Sequence, residues 1–229
     1  MKARIKFRKY GVMKFIGHLD IMRFFQKVMR RADIPIAFTG GFSPHMIMSF
    51  ANPLGVGVTS DGEYFDIELT EEIDMQAAIA RMNEAVVEGI EIVNMVAISD
   101  DKKQTGMSIV AAADYLSNLK NGEFPQDWKE KAEGFLNQPS ISIVKKTKKS
   151  EKEVDIKPMI YKFEVRDDSV YMMVATGSVE NLKPELVMQA LAGFVGVDTE
   201  SVSFAHHRLD VYENIGTEEN KKFVSLDQV

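Results

Sequence analysis

A chain of 229 residues with 45% hydrophobic side chains is long enough for one large domain or two small ones with sizeable cores. It contains no cysteine, which excludes disulfides, zinc–thiolate sites and any iron–sulfur cluster ligated by its own thiolates. The formal net charge is −6, yet the first 31 residues hold ten cations (Lys2, Arg4, Lys6, Arg8, Lys9, Lys14, Arg23, Lys27, Arg30, Arg31) against Asp20 alone, leaving 18 cations and 33 acids elsewhere: a local anion-attracting pole on an acidic body, not general adhesiveness.

Residues 4–10 alternate Ile5 and Phe7 with Lys6 and Arg8, the period of a half-buried strand. From 19 to 32 the spacing turns helical. Leu19, Met22, Phe25, Met29 and Ala32 form the apolar stripe, with Asp20, Arg23, Lys27, Arg30 and Arg31 opposite and Pro35 closing the helix. Extended pieces at 36–38 and 46–50 flank a glycine-rich loop, Thr39-Gly40-Gly41-Phe42-Ser43-Pro44-His45. Residues 63–69 alternate as a strand, Asp74 caps a helix reaching 87, Gly89 stops it, and 90–98 alternate again. Strand, helix, strand, strand, helix, strand over 1–100 is the ferredoxin-like order, an antiparallel sheet with both helices on one face.

The polar stretch 99–105, closed by Gly106, reads as a linker. Residues 107–214 repeat the order more loosely. A strand at 113–119 precedes a helix at 125–137 with Trp128, Ala132, Phe135 and Leu136 inward. Strands follow at 141–149 and 154–165 around a lysine-rich turn, then at 171–176; Pro184 opens a helix to 194, and 201–212 form a closing strand. Residues 215–229 read as a polar tail. The fold class expected is α+β, two ferredoxin-like (βαββαβ) units with antiparallel sheets in tandem, repeated in topology and not in visible sequence. No apolar run approaches the roughly 18 residues of a membrane span, and the N-terminus lacks a signal-peptide core. A cytoplasmic setting without membrane contact is expected.

Arg23, Lys27, Arg30 and Arg31 suit phosphate, which guanidinium groups grip in bidentate fashion, and they suit equally an ordinary solvated face with snorkelling stems. Gly40 and Gly41 allow close backbone approach, so that amides can face an anion; Ser43 adds a hydroxyl, and His45 an imidazole stiffened by Pro44. The same loop also serves as a tight inter-strand turn, and it is not a P-loop, because no Gly-Lys-Ser/Thr follows. His18 offers an imidazole at the start of the basic helix, where Asp20 suits the positive end of the dipole. Together these residues form the candidate anion-binding set, with His18 and His45 as the catalytic candidates. Two histidines and one acid with no close-spaced pair make a poor ligand set, so neither metal nor cofactor is expected. His206 and His207 are neighbours on an alternating strand and point to opposite faces, one of them buried and satisfied. Lys145, Lys146, Lys148 and Lys149 make a second basic patch at a hairpin tip.

The stretch Phe15-Ile16-Gly17-His18-Leu19-Asp20-Ile21-Met22-Arg23, then Arg30-Arg31-Ala32 with Ile34-Pro35, Gly41-Phe42-Ser43-Pro44-His45, Ser49-Phe50-Ala51, Pro53-Leu54-Gly55-Val56 and Glu63-Tyr64-Phe65-Asp66 resembles the radical SAM-associated (radical SAM-linked) family of unknown function, DUF2344-like. Val154-Asp155-Ile156-Lys157-Pro158 resembles that family's Val-Asp-Ile-Arg-Pro segment, with Lys157 in place of the arginine, and Met46-Ile47 stand where relatives have proline and a basic residue. The resemblance implies a companion of a separately encoded radical SAM protein, because family members occur alone or fused behind one. In tandem topology the chain is also similar to CRISPR RNA-processing endonucleases, some of which use a histidine near the first helix.

The function expected is non-catalytic: an accessory or recognition protein for a radical SAM enzyme that binds RNA (tRNA or rRNA) or another anionic substrate through its basic N-terminal surface. Two alternatives stand beside it, a metal-independent endoribonuclease with a histidine general base and a protein–protein scaffold.

Overall fold

The computed structural model describes residues 1–101, 104–146 and 151–229, with the side chains of 145, 146, 151 and 152 left aside. The protein is α+β with mostly antiparallel strand pairing, and the chain divides into two compact units, Met1–Ala111 with Arg208–Val229, and Ala112–His207.

The first unit is built on β1 (Lys2–Lys9), which pairs antiparallel with both β3 (Thr59–Glu68) and β4 (Ile90–Ile98); Ile5 lies opposite Phe65 on one side and Met95 on the other. A short β2 (Met48–Ala51) extends the sheet beyond β3, with Phe50 opposite Phe65. Two helices, α1 (His18–Arg31) and α2 (Met75–Ala85), cover one face. Between sheet and helices sits an aromatic knot: Phe25 lies 4.7 Å from Phe7 and 4.6 Å from Phe65, and Phe50 stacks on Phe65 at 5.0 Å. Burying each such ring stabilises the fold by about 1.5–3 kcal/mol.

The helical stripe differs from the expected one. Ile21, Phe25, Val28, Met29 and Ala32 are buried, Met22 is partly buried, and Leu19 is 60% exposed. Both stripes share Phe25, Met29 and Ala32, but the true one begins at Ile21, about 200° round the helix from Leu19. Asp74 caps α2 by accepting from the Gln76 and Ala77 amides at 2.9 and 3.1 Å. Gly89 has φ +94, and a Cβ there would lie 2.7 Å from the Met13 side chain and 2.8 Å from the Tyr10 carbonyl.

A single turn, α3 (Gly106–Ile109), leads into β5 (Val110–Asn121), which is longer than the expected 113–119. The second unit continues through α4 (Trp128–Glu133), β6 (Ser142–Lys146), β7 (Glu151–Asp155), β8 (Ile160–Arg166), β9 (Ser169–Ala175), α5 (Pro184–Phe194) and the start of β10 (Ser203–Asn214). Its strand order is β10-β5-β9-β8, with β6 and β7 forming a separate antiparallel pair. The expected helix 125–137 is interrupted at Gly134, after which residues 135–137 form a 3-10 turn. The expected strand 154–165 is broken at Lys157–Met159: Pro158 has no N–H for a ladder, and the Asp155 carboxylate accepts from the Ile141 and Lys157 amides. Most of the lysine-rich turn at 147–150 lies outside the described residues.

Residues 215–229 are not a polar tail. There β11 (Phe223–Ser225) pairs with the end of β10, and Leu226 is fully buried. This segment packs against β1, and its Leu226 carbonyl accepts from Arg4, which is 1% exposed; Lys9, 2% exposed, faces Glu63 instead. Among the described residues no helix is long and apolar enough to cross a membrane.

Candidate anion-binding face

The ten N-terminal cations do not form one surface. In β1, Lys2 donates to the Asp100 carbonyl at 2.8 Å, and the other four face the chain's own carboxylates. Arg4 makes a two-pronged contact with Asp66 (Nε–Oδ1 2.8 Å, Nη2–Oδ2 3.2 Å) and donates further to the carbonyls of Leu226 and Gln104. Lys6 lies 2.7 Å from Asp210 and 3.5 Å from Asp227. Arg8 pairs with Asp61 and Glu91, and Lys9 faces Glu63 at 3.8 Å. Burial holds Lys9 below the usual lysine range, assisted by the positive charge of Arg208 and opposed by Glu63.

The cations of α1 fare differently. Arg23, Lys27, Arg30 and Arg31 are exposed and recur at steps of three and four, which places them on one side of the helix. Arg23 meets Asp20 at 3.4 Å, a contact between two exposed side chains that neutralises little. Among the described residues no carboxylate lies within ion-pair distance of Lys27, Arg30 or Arg31. Arg30 and Arg31 also complement the negative end of the helix dipole, so part of their role is local. Arg31 shares an open pocket of about 540 Å³ with Arg81 of α2, beside Asp33 and Glu84. Arg81 donates to the Asp33 carbonyl at 3.3 Å, and its buried Nε has no hydrogen-bond partner among the described residues. Sequence reasoning missed Arg81, although its place beside the buried Met82 in a capped helix was open to reading.

The glycine-rich loop is closed at its neck. The Thr39 amide donates to the His45 carbonyl at 2.9 Å, the His45 amide donates to Thr39 Oγ1 at 3.1 Å, and His45 Nδ1 lies 3.1 Å from the same hydroxyl. Gly41 has φ +97, whereas Gly40 requires no special conformation and has open space around it. Phe42, Ser43 and His45 are exposed. His18 stands at the first position of α1 with its ring edge-on to Phe50 at 5.3 Å. Among the described residues no hydrogen bond, ion pair or ring contact joins His18, Asp20, Ser43 and His45 to one another, and no group of three metal-ligating side chains occurs.

The signature of a family of uncharacterized proteins conserved in bacteria, DUF2344, matches residues 2–184, which takes in α1 and the loop. The chain belongs to the DUF2344 family. No curated protein matches this DUF2344 chain. A chain of a solved Cbf5–Nop10–Gar1 complex is similar at 11% identity and a TM-score of 0.48, over 91% of this chain. The DUF2344 chain spans 48% of that protein's length, and a likeness of this size carries no argument.

The members of two polar networks of the DUF2344 protein are far apart in the chain, and apart from a buried histidine at 206 or 207 they had no signal in sequence. In the first unit, Tyr64 Oη donates to Asp210 and lies 2.9 Å from Ser225 Oγ; Ser225 in turn donates to Asp210 and Asp227, and Asn94 donates to Asp227. Burial, then the charge of Asp210, pushes the Tyr64 hydroxyl far above its usual range. Burial pulls Asp227 upward, but hydrogen bonds from Asn94, Ser225 and Tyr64 together with Lys6 hold it below its ordinary value. In the second unit, His206 Nδ1 lies 2.8 Å from Ser117 Oγ and Nε2 lies 2.8 Å from Glu185. His206 is thus the buried histidine of the pair, satisfied at both ring nitrogens.

Proposed function

We propose that this protein is a non-catalytic recognition module that binds RNA through the exposed cationic side of α1, as an accessory of a radical SAM enzyme. The observation that carries the reading is the contrast between the two cation groups: in β1, Arg4, Lys6, Arg8 and Lys9 face the chain's own carboxylates, and α1 leaves Lys27, Arg30 and Arg31 without a carboxylate partner among the described residues. Guanidinium and ammonium groups at helical spacing match the phosphates of a polynucleotide backbone. Arg81 extends that row from α2, while Ser43 and His45, exposed on the loop, supply neutral hydrogen-bonding groups.

The accessory role rests on the family resemblance together with composition, since a chain with no cysteine leaves a thiolate-ligated cluster to a partner. An apolar strip supports a docking role for such a partner. Val12, Phe15 and Leu19 are 76%, 63% and 60% exposed within a short stretch of chain ending in α1.

In this reading each unit is a ferredoxin-like βαββαβ fold. The first runs β1-α1-β2-β3-α2-β4 with spatial order β4-β1-β3-β2; the second runs β5-α4-β8-β9-α5-β10 with order β10-β5-β9-β8 and the β6–β7 pair as an insertion. Antiparallel sheets of this type serve widely as platforms for single-stranded RNA.

The test is the ultraviolet absorbance ratio of the purified protein and sequencing of whatever RNA accompanies it, with the Lys27→Glu/Arg30→Glu/Arg31→Glu variant purified in parallel. Co-purifying RNA that disappears from the variant supports the reading. RNA retained equally by the variant, or a protein free of nucleic acid that still captures its partner enzyme, replaces it with the scaffold role.

A further inference from the structure

The second unit contains a cavity of about 300 Å³ that plays no part in the RNA reading. Leu119 and Met188 line its apolar interior, Phe124 and Trp128 form an aromatic wall with ring centroids 5.1 Å apart, and the carboxylates of Glu123 and Asp168 stand at its exposed rim. The wall is braced from behind, because Phe124 also packs on Phe204 at 6.1 Å. Its polar neighbour Ser117 is fully buried and hydrogen-bonded to His206, so the interior is already satisfied without a ligand.

The loop that carries Glu123 and Phe124 is held in place. Gly122 adopts φ +85, and a Cβ at that position would lie 2.6 Å from the Ser201 carbonyl and 2.8 Å from the Val202 side chain. Pro125 restricts the backbone of Phe124 from the other side. The backbone that carries Glu123 and Phe124 is therefore restricted, and the Phe124–Trp128 wall is held by ring packing.

What the rim accepts is illustrated by the chain itself. Lys129 places its ammonium 5.9 Å from the Trp128 ring centroid and 2.9 Å from Asp168 Oδ1. An indole face and a carboxylate together make a cation site. Two rim acids stand against this one lysine, and among the described residues no cation lies within ion-pair distance of Glu123.

From this juxtaposition we propose that the cavity binds a small amine, an ammonium head with an apolar or aromatic body. The body enters between Phe124, Trp128 and Met188, and the head sits at the rim on Glu123 and the face of Trp128. The volume lies at the lower end of small-molecule sites, which suits a single-ring ligand.

Trp128 is the chain's one tryptophan, so its emission reports on this wall. The full-length protein is titrated with phenethylamine and, in parallel, with 3-phenylpropionate, which has a similar body and the opposite charge; calorimetry repeats both titrations. Saturable binding of phenethylamine, at least about tenfold tighter than 3-phenylpropionate, is the expected result. Glu123→Gln weakens phenethylamine binding about tenfold, whereas Lys129→Ala, by freeing Asp168 and the indole face, tightens it. All of these positions are exposed, and far-UV circular dichroism verifies that the variants fold. Absence of saturation, equal affinity for the two probes, or an affinity unmoved by Glu123→Gln overturns the assignment.

Discussion

Arg4 is 1% exposed and its guanidinium faces Asp66, whose Oδ2 also accepts from the Gly106 amide at 2.6 Å. A buried pair of this kind adds little over apolar residues of the same shape, but breaking it strands a charge in the interior. Asp66→Asn therefore lowers stability by about 3–5 kcal/mol in urea unfolding, and pairing Arg4→Met with Asp66→Leu recovers part of that loss. Asp227 gives a pH signature. Its folded carboxyl titrates below the ordinary value of 3.8, so its stabilisation is complete above that value and fades as pH falls through the folded one. The stability difference between the native protein and Asp227→Asn, measured by urea unfolding at a series of pH values, stays constant from neutrality down to about pH 4 and shrinks below it. A difference that grows on acidification contradicts this assignment.

The two glycine-bearing turns of the first unit behave oppositely. Gly89 combines φ +94 with close approach to Met13 and Tyr10, so Gly89→Ala costs about 1–3 kcal/mol in strain alone, before any repacking. Gly40 has open space and no positive φ, and Gly40→Ala changes stability by no more than about 0.5 kcal/mol; thermal or urea unfolding of the two variants separates them. Period and punctuation made several elements legible. Asp74 marked the start of α2, Pro184 the start of α5, and alternation marked β1, β3 and β4. Other features were set by distant parts of the chain. Leu19 and Ile21 both fit a helical stripe, and only the position of the sheet decides between them. Lys6 looks like a solvent-facing residue until the return of Asp227 brings a carboxylate to 3.5 Å from its ammonium. Gly134 and Pro158, both visible in the sequence, break elements that apolar spacing alone had run together.

The same asymmetry governs what the protein can bind. The cations of β1 are largely paired with the chain's own carboxylates, and the side of α1 is where positive charge stays exposed at regular spacing. The candidate site was therefore half legible: Arg23, Lys27, Arg30 and Arg31 followed from helical period, whereas the neutralisation of Arg4, Lys6, Arg8 and Lys9 depended on distant carboxylates, Asp210 being 204 residues from Lys6. Arg81 joins them only through the packing of α1 against α2. If RNA phosphates lie along this row, each contact releases counterions, and affinity falls with salt by roughly 0.7 logarithmic units per contact for every tenfold rise in concentration. The most direct measurement is the anisotropy of a labelled single-stranded RNA titrated with the full-length protein over a series of salt concentrations, alongside the Lys27→Glu/Arg30→Glu/Arg31→Glu variant. The account predicts a slope equivalent to about three or four phosphate contacts and a variant whose binding is lost; a native affinity indifferent to salt, or a variant that binds as the native protein does, contradicts it.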